Sequence, residues 1–157
     1  MRSAFALALL TATALGASAQ LSKPGCVAAP KELVRKDLEA GTGRDIKPGT
    51  AVLVGYTGWL FDGCAKDAKG AKFDSSEGRN TPFGFVVGAG KVIKGWDEGV
   101  VGMKEKGARR SLVIPPDKAY GERGAGNGLI PPNATLVFEV ETFQIVHYPA
   151  DEAAPKK

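Results

Sequence analysis

The sequence predicts an α+β fold in which several antiparallel strands are covered by one short helix. Three observations carry that prediction. Runs rich in β-formers stand at 50–60 ("TAVLVGYTGWL") and at 135–148 ("TLVFEVETFQIVHY"). Turn chemistry punctuates the rest, with 21 Gly and 10 Pro among 157 residues. One stretch, "KVIKGWDEGV" from Lys91 to Val100, is the best helix candidate. A twisted sheet needs its apolar face covered, so this helix and its Trp96 are expected to lie against the concave face.

The chain opens on Arg2 and the apolar run "AFALALLTATALGA", too short for a membrane span, and then "ASA" at Ala17 to Ala19. That order of features reads as a secretory signal peptide over 1–19. The product is expected to be exported, periplasmic or secreted, with no membrane insertion. "SKPGC" lacks the apolar box of a lipoprotein, so no lipid anchor is expected at Cys26. Residues 20–31 read as a tail. Cys26 and Cys64 are the two cysteines, an even number in an oxidising compartment, which suggests one disulfide; two free thiols are the alternative.

Residues 32–147 are expected to form the single domain. "ELVRKDLEAGTGR" fits a short helix or a strand, because its alternation is poor. "GTGRDIKPGT" is turn chemistry, 50–60 a strand, and "FDGCAKDAKGAK" a polar loop. "TPFGFVVG" is a short strand with a glycine break. Val92, Trp96, Val100 and Met103 then follow helical spacing, with internal glycines limiting the helix to about two or three turns. "ARRSLVIPP" is a strand stopped by prolines, and "YGERGAGNGLIPPNA" a long loop. In the closing strand Leu136, Phe138 and Val140 alternate with Val137, Glu139 and Glu141. Residues 148–157 are expected to be a disordered tail.

Composition excludes several functions. Apolar content of 43% and charged content of 24% are ordinary for a globular protein. The net charge of +4 is spread among acids, so no nucleic-acid footprint is expected. The one histidine, His147, stands in the last strand away from any nucleophile elbow, and two Cys plus one His are too few for a zinc site. "VVGAGKV" and "GERGAGNG" lack the flanking residues of phosphate loops. "NAT" at 133–135 is a glycosylation pattern that matters only in a eukaryotic source. What remains is aromatic: Tyr56, Phe73, Phe83, Phe85, Trp96, Tyr120 and Phe138, with Asp74 and Arg79 beside them. That inventory suits an uncharged ligand in an apolar pocket with a few polar anchors.

The segments "VGYTGWL", "KFDSSEGRNTPFGFVVGAGKVIKGWDEGVVGMKEKGARRSLVIPP" and "AYGERGAGNGLIPPNATLVFEVE" together resemble an FKBP-type peptidyl-prolyl cis-trans isomerase, of the exported single-domain bacterial type. The likeness runs from about Glu32 to Val146. It implies five or six antiparallel strands curled around one short helix, and rotation about X–Pro bonds without a cofactor. It implies proline-containing polypeptide clients, inhibition by macrolides of the rapamycin type, and a monomer. A non-catalytic binding or chaperone module using the same pocket is the alternative. By motif, the resemblance places Tyr56, Phe73, Asp74, Trp96, Tyr120 and Phe138 in catalysis. It places Arg79, Phe83, Phe85, Val92, Ile93, Leu129 and Ile130 in substrate binding. In the family the Trp is the pocket floor, the Ile93 position offers its backbone N–H to a carbonyl, and the Tyr120 position offers its hydroxyl to another. This sequence departs from the pattern in a longer loop at 61–71, in small residues after Tyr120, and in Lys91, where some relatives carry an acid.

Overall fold

The computed structural model describes residues 25–146. The signal peptide expected at 1–19, His147 and the tail expected at 148–157 lie outside the described residues. Six strands and one helix follow in the order β1 (Val34–Asp45), β2 (Ala51–Phe61), β3 (Lys69–Ser75), β4 (Phe83–Val86), α1 (Lys94–Gly99), β5 (Lys104–Ile114) and β6 (Leu136–Val146). All pairings are antiparallel. The sheet runs β1-β5-β6-β2-β3, and β4 shares the outer edge of β2 with β3.

Alternation in the central strands sets the two faces. Val52, Val54, Leu112, Ile114, Leu136 and Val140 are at most 1% exposed and point toward α1. Between them stand outward residues such as Arg109 and Glu139. β1 resolves the ambiguity at 32–44 as a strand, and its exposure explains the poor alternation. It is an edge strand exposed along nearly its whole length, so neither face has to be apolar. Cross-strand ion pairs hold it to β5: Glu39–Arg109 at 2.8 Å, Asp45–Lys104 at 2.9 Å and Asp37–Arg110 at 2.5 Å. The polar run at 61–72 is not wholly a loop. Its last residues open β3, pairing Lys69 with Phe61 and Lys72 with Trp59.

The helix is shorter than the two or three turns expected. It has six residues, because Ile93 is still extended (φ −60°, ψ 147°) and Gly102 turns the chain with φ +81°. Its glycines have a use that spacing does not reveal. A Cβ on Gly95 would stand 2.8 Å from Ile114 Cδ1, and one on Gly99 would stand 2.7 Å from Leu112 Cδ1. The pair is one turn apart on the face that lies on β5, so the helix sits close to the sheet. Arg110 then closes the far end. Its side chain is nearly buried and donates from Nη1 to Gly99 O (2.7 Å) and Val101 O (2.9 Å), satisfying carbonyls that a helix end leaves free. The cation also complements the negative end of the helix dipole.

Cys26 is disulfide-bonded to Cys64, and Val27 N–H donates to Gly63 O at 2.9 Å. The segment leading into edge strand β1 is thereby fastened to the β2–β3 hairpin at the opposite edge. The bond closes a 38-residue separation. In the chain-entropy account a loop of that size is worth about 4 kcal/mol, and measured losses run about 2–5 kcal/mol. Replacing both cysteines with serine should therefore lower the unfolding free energy by about 3 kcal/mol in guanidinium titrations, with the midpoint moving down. Superimposable curves for the two proteins would show that the bond constrains nothing.

Candidate functional site

A cavity of about 180 Å³ opens at the N-terminal end of α1. Four of the six strands contribute to its wall. Tyr56 comes from β2, Phe73 and Asp74 from β3, Phe83 from β4, and Phe138 from β6. Lys91, Val92 and Ile93 come from the connection into the helix, Trp96 from the helix, and Tyr120 from the turn after β5. Glycine makes the strands' convergence possible: a Cβ on Gly58 would stand 2.7 Å from both the Phe73 and Phe138 rings.

Trp96 is 4% exposed. Its ring centroid lies 5.1 Å from Tyr56, 5.3 Å from Phe138 and 5.8 Å from Phe83, at interplanar angles of 81° to 88°. Three rings standing perpendicular to the indole plane make walls about a floor, in the edge-to-face arrangement that aromatic quadrupoles favour. The indole Nε1–H is buried and has no hydrogen-bond partner among the described residues. A stranded donor of this kind costs about 1–3 kcal/mol, and a phenyl ring would avoid it. Trp is thus a poor choice for packing alone, and a wide flat floor is what it adds.

Polar groups are few and fixed. Asp74 accepts hydrogen bonds from Tyr56 Oη (2.6 Å), Arg79 Nη2 (2.5 Å) and Ser75 N–H (2.8 Å). Ser76 Oγ accepts the Tyr56 N–H at 2.8 Å, so the "DSS" turn positions Tyr56 as well as Asp74. Burial, then the hydrogen bond to Asp74 and the nearby negative charge, push the Tyr56 hydroxyl up to about 12. Burial first and then the charge of Asp74 push Tyr120 up as well. Both groups therefore remain protonated donors through the neutral range. For stability the sign is definite. The folded Tyr56 pKa exceeds the unfolded value of 10.0, so its contribution is complete below pH 10 and is lost as pH rises toward 12. Denaturant midpoints measured between pH 9 and 12 should fall in the wild type, and the fall should be shallower in Tyr56→Phe. Parallel slopes would remove Tyr56 as the source.

The helix entry is held by a residue that sequence reasoning missed. Asp97 accepts N–H donors from Gly88 (2.8 Å) and Gly90 (3.0 Å), pinning the loop that presents Lys91 to Ile93. Its signal in the sequence is an acid in the first helical turn just after a glycine-rich run. The Ile93 carbonyl accepts the Trp96 N–H at 2.9 Å, while its own N–H finds no partner among the described residues.

Four residues expected in substrate binding do not line the cavity. Phe85 is 7% exposed and packs at 5.6 Å from Trp96, supporting the floor from within the core. Ile130 is 6% exposed in the core, held by a backbone bridge to Ala125. Leu129 is exposed beside the same loop, outside the lining. Arg79 acts through Asp74 and lines a separate cavity with Thr57 and Phe143. Lys91, by contrast, lines the aromatic cavity itself.

With this geometry in place, comparison with known proteins is decisive. A family model for the FKBP-type peptidyl-prolyl cis-trans isomerase matches residues 42–143. The chain belongs to that family. An FK506-binding protein of Neisseria meningitidis serogroup A is 50% identical over 113 residues, covering 72% of this chain and 95% of the relative. The Drosophila melanogaster peptidyl-prolyl cis-trans isomerase Fkbp12 is 50% identical over 99 residues, covering 63% of this chain and 83% of the relative. The crystal structure of AtFKBP13 matches with a TM-score of 0.60 and 37% identity, over 75% of this chain and 96% of that one. The motifs quoted from the sequence thus led to the right family and fold, and the isomerase acts on peptidyl-prolyl bonds.

Proposed function

We propose that this isomerase seats the proline ring on Trp96, between Tyr56, Phe83 and Phe138, and lowers the barrier to rotation by enclosing the bond. The observation that carries this reading is the set of rings standing perpendicular to one buried indole around an open cavity. Rotation about a peptide bond faces a barrier of about 18–20 kcal/mol because the planar amide is held by resonance. The planar amide is charge-separated and the twisted amide less so. Transfer from water to an aromatic enclosure disfavours the planar form more than the twisted one. An acceleration of four decades needs only about 5–6 kcal/mol of differential binding. Apolar enclosure, the free Ile93 N–H and the Tyr120 hydroxyl are suited to supply it. Asp74, already holding Tyr56 and Arg79, is a polar anchor and not a proton carrier.

Proline-containing polypeptides are the proposed substrates. Macrolides of the FK506 and rapamycin type are the proposed inhibitors, competing for the same cavity. Action as a monomer is part of the same proposal. Export is proposed from the Arg2, apolar-run and Ala17-Ser18-Ala19 pattern, and the Cys26–Cys64 bond suits an oxidising compartment. The test is relaxation of a short X–Pro peptide from cis to trans with and without the protein, then with added rapamycin. Acceleration that rapamycin abolishes is expected. An unchanged relaxation rate would end the proposal.

A further inference from the structure

Lys91 is the one cavity-lining residue whose charge nothing in the proposed chemistry uses. Its side chain is exposed and forms no ion pair among the described residues. Its backbone is fixed, because Asp97 holds the N–H of the preceding Gly90, and Ile93 follows two residues later. Lys91 is therefore an ordered point of attachment for a flexible cation at the mouth.

The charges around it do not cancel it locally. Asp74, the carboxylate in the cavity wall, is engaged by Tyr56 and Arg79. Asp97 is engaged by two backbone N–H groups, and Glu98 by Lys118 at 2.5 Å. Exposed Lys94, three residues on, adds a second cation with no ion pair among the described residues. A substrate chain entering this mouth meets the exposed cation of Lys91, with Lys94 three residues on.

Resting on the isomerase reading of the cavity, we infer that Lys91 is a specificity-determining residue that favours prolyl segments carrying a carboxylate next to the proline. A lysine can do this without touching the rotating bond, because a point charge on a flexible stem reaches a flanking side chain. The pair would be solvent-exposed, so its effect is modest, about threefold at low salt. It is also screened, since the Debye length falls from about 10 Å at 0.1 M to about 3 Å at 1 M ionic strength.

The test compares kcat/KM for matched peptides with Glu, Gln or Lys beside the proline, on its N-terminal side in one set and its C-terminal side in another. The readout is the Glu-to-Lys ratio within each protein, so a general loss of activity in a variant cancels. In at least one set, the ratio for the wild type should be about three at low salt and should approach one at 1 M. It should be smaller in Lys91→Gln and smaller again in Lys91→Glu, with Lys94 supplying what preference remains. A ratio that is the same in the wild type and Lys91→Glu, or insensitive to salt, overturns the assignment. The Gln peptide separates the two levels. Acceleration of Gln–Pro with no charge preference removes Lys91 alone, whereas acceleration of none of the peptides removes the isomerase reading and this inference with it.

Discussion

Trp96→Ala is expected to lower kcat/KM for an X–Pro peptide by about 100-fold per folded molecule. A proline ring stacked on the indole hides about 100 Å² of apolar surface, worth roughly 2.5 kcal/mol at 25 cal per Å². That corresponds to nearly two decades in rate if the contact is realised in the transition state. The same change removes a side chain that is 4% exposed and packs against Tyr56, Phe83, Phe85 and Phe138. A stability loss of about 3–5 kcal/mol is therefore expected too, so activity must be normalised to the folded fraction by circular dichroism. Trp96→Phe separates the two roles. It keeps an aromatic core residue and removes the stranded Nε1–H, so stability should change by less than about 1.5 kcal/mol. The floor narrows, and kcat/KM should fall by about tenfold. Full activity in Trp96→Phe alongside a large stability loss would make Trp96 a packing residue only.

How much of this was legible in the sequence depended on whether burial left a pattern. β2 and β6 are central strands packed on the core, so β-formers marked the first and alternation marked the second. β1 is as long as they are but is an exposed edge, and no period could emerge. β3 opens with Lys69, Gly70, Ala71 and Lys72, where the ladder with β2 is made by the backbone and the side chains say loop. The aromatic inventory held the cavity, yet periodicity could not sort its members. Phe83 and Phe85 share one face of β4. Phe83 pairs with Val54 and reaches the cavity, and Phe85 pairs with Val52 and stays in the core. Leu129 and Ile130 are adjacent, and a local bridge to Ala125 buries one beside the other's exposed side chain. Asp97 and Arg110 act by satisfying backbone groups of neighbouring loops and of the helix end, a role with no side-chain period to detect.

The glycines of α1 give the second large effect. In the sequence, Gly95 and Gly99 look like weaknesses in a helix that alanine would strengthen by about 1 kcal/mol each. In the fold they are the contact face with β5. Gly95→Ala should therefore destabilise, because the new methyl meets the side chain of Ile114, a core residue 0% exposed. Overpacking of this kind costs about 1–3 kcal/mol, more than the gain in propensity. The helix must lift or turn to relieve it, and Trp96 is the next residue, so kcat/KM should fall with stability. Ile114→Ala distinguishes this clash from a generic helix effect. Alone it should destabilise by about 2–5 kcal/mol, as a buried aliphatic side chain is lost from the core. Combined with Gly95→Ala it removes the Cγ2, Cγ1 and Cδ1 atoms that the new methyl meets, so the double variant should be more stable than the sum of the two losses by about 1 kcal/mol. Strict additivity in chemical denaturation, or a Gly95→Ala protein more stable than the wild type, would show that the helix is free to move away from β5. The floor of the cavity would then be less rigidly placed than the close glycine contacts require.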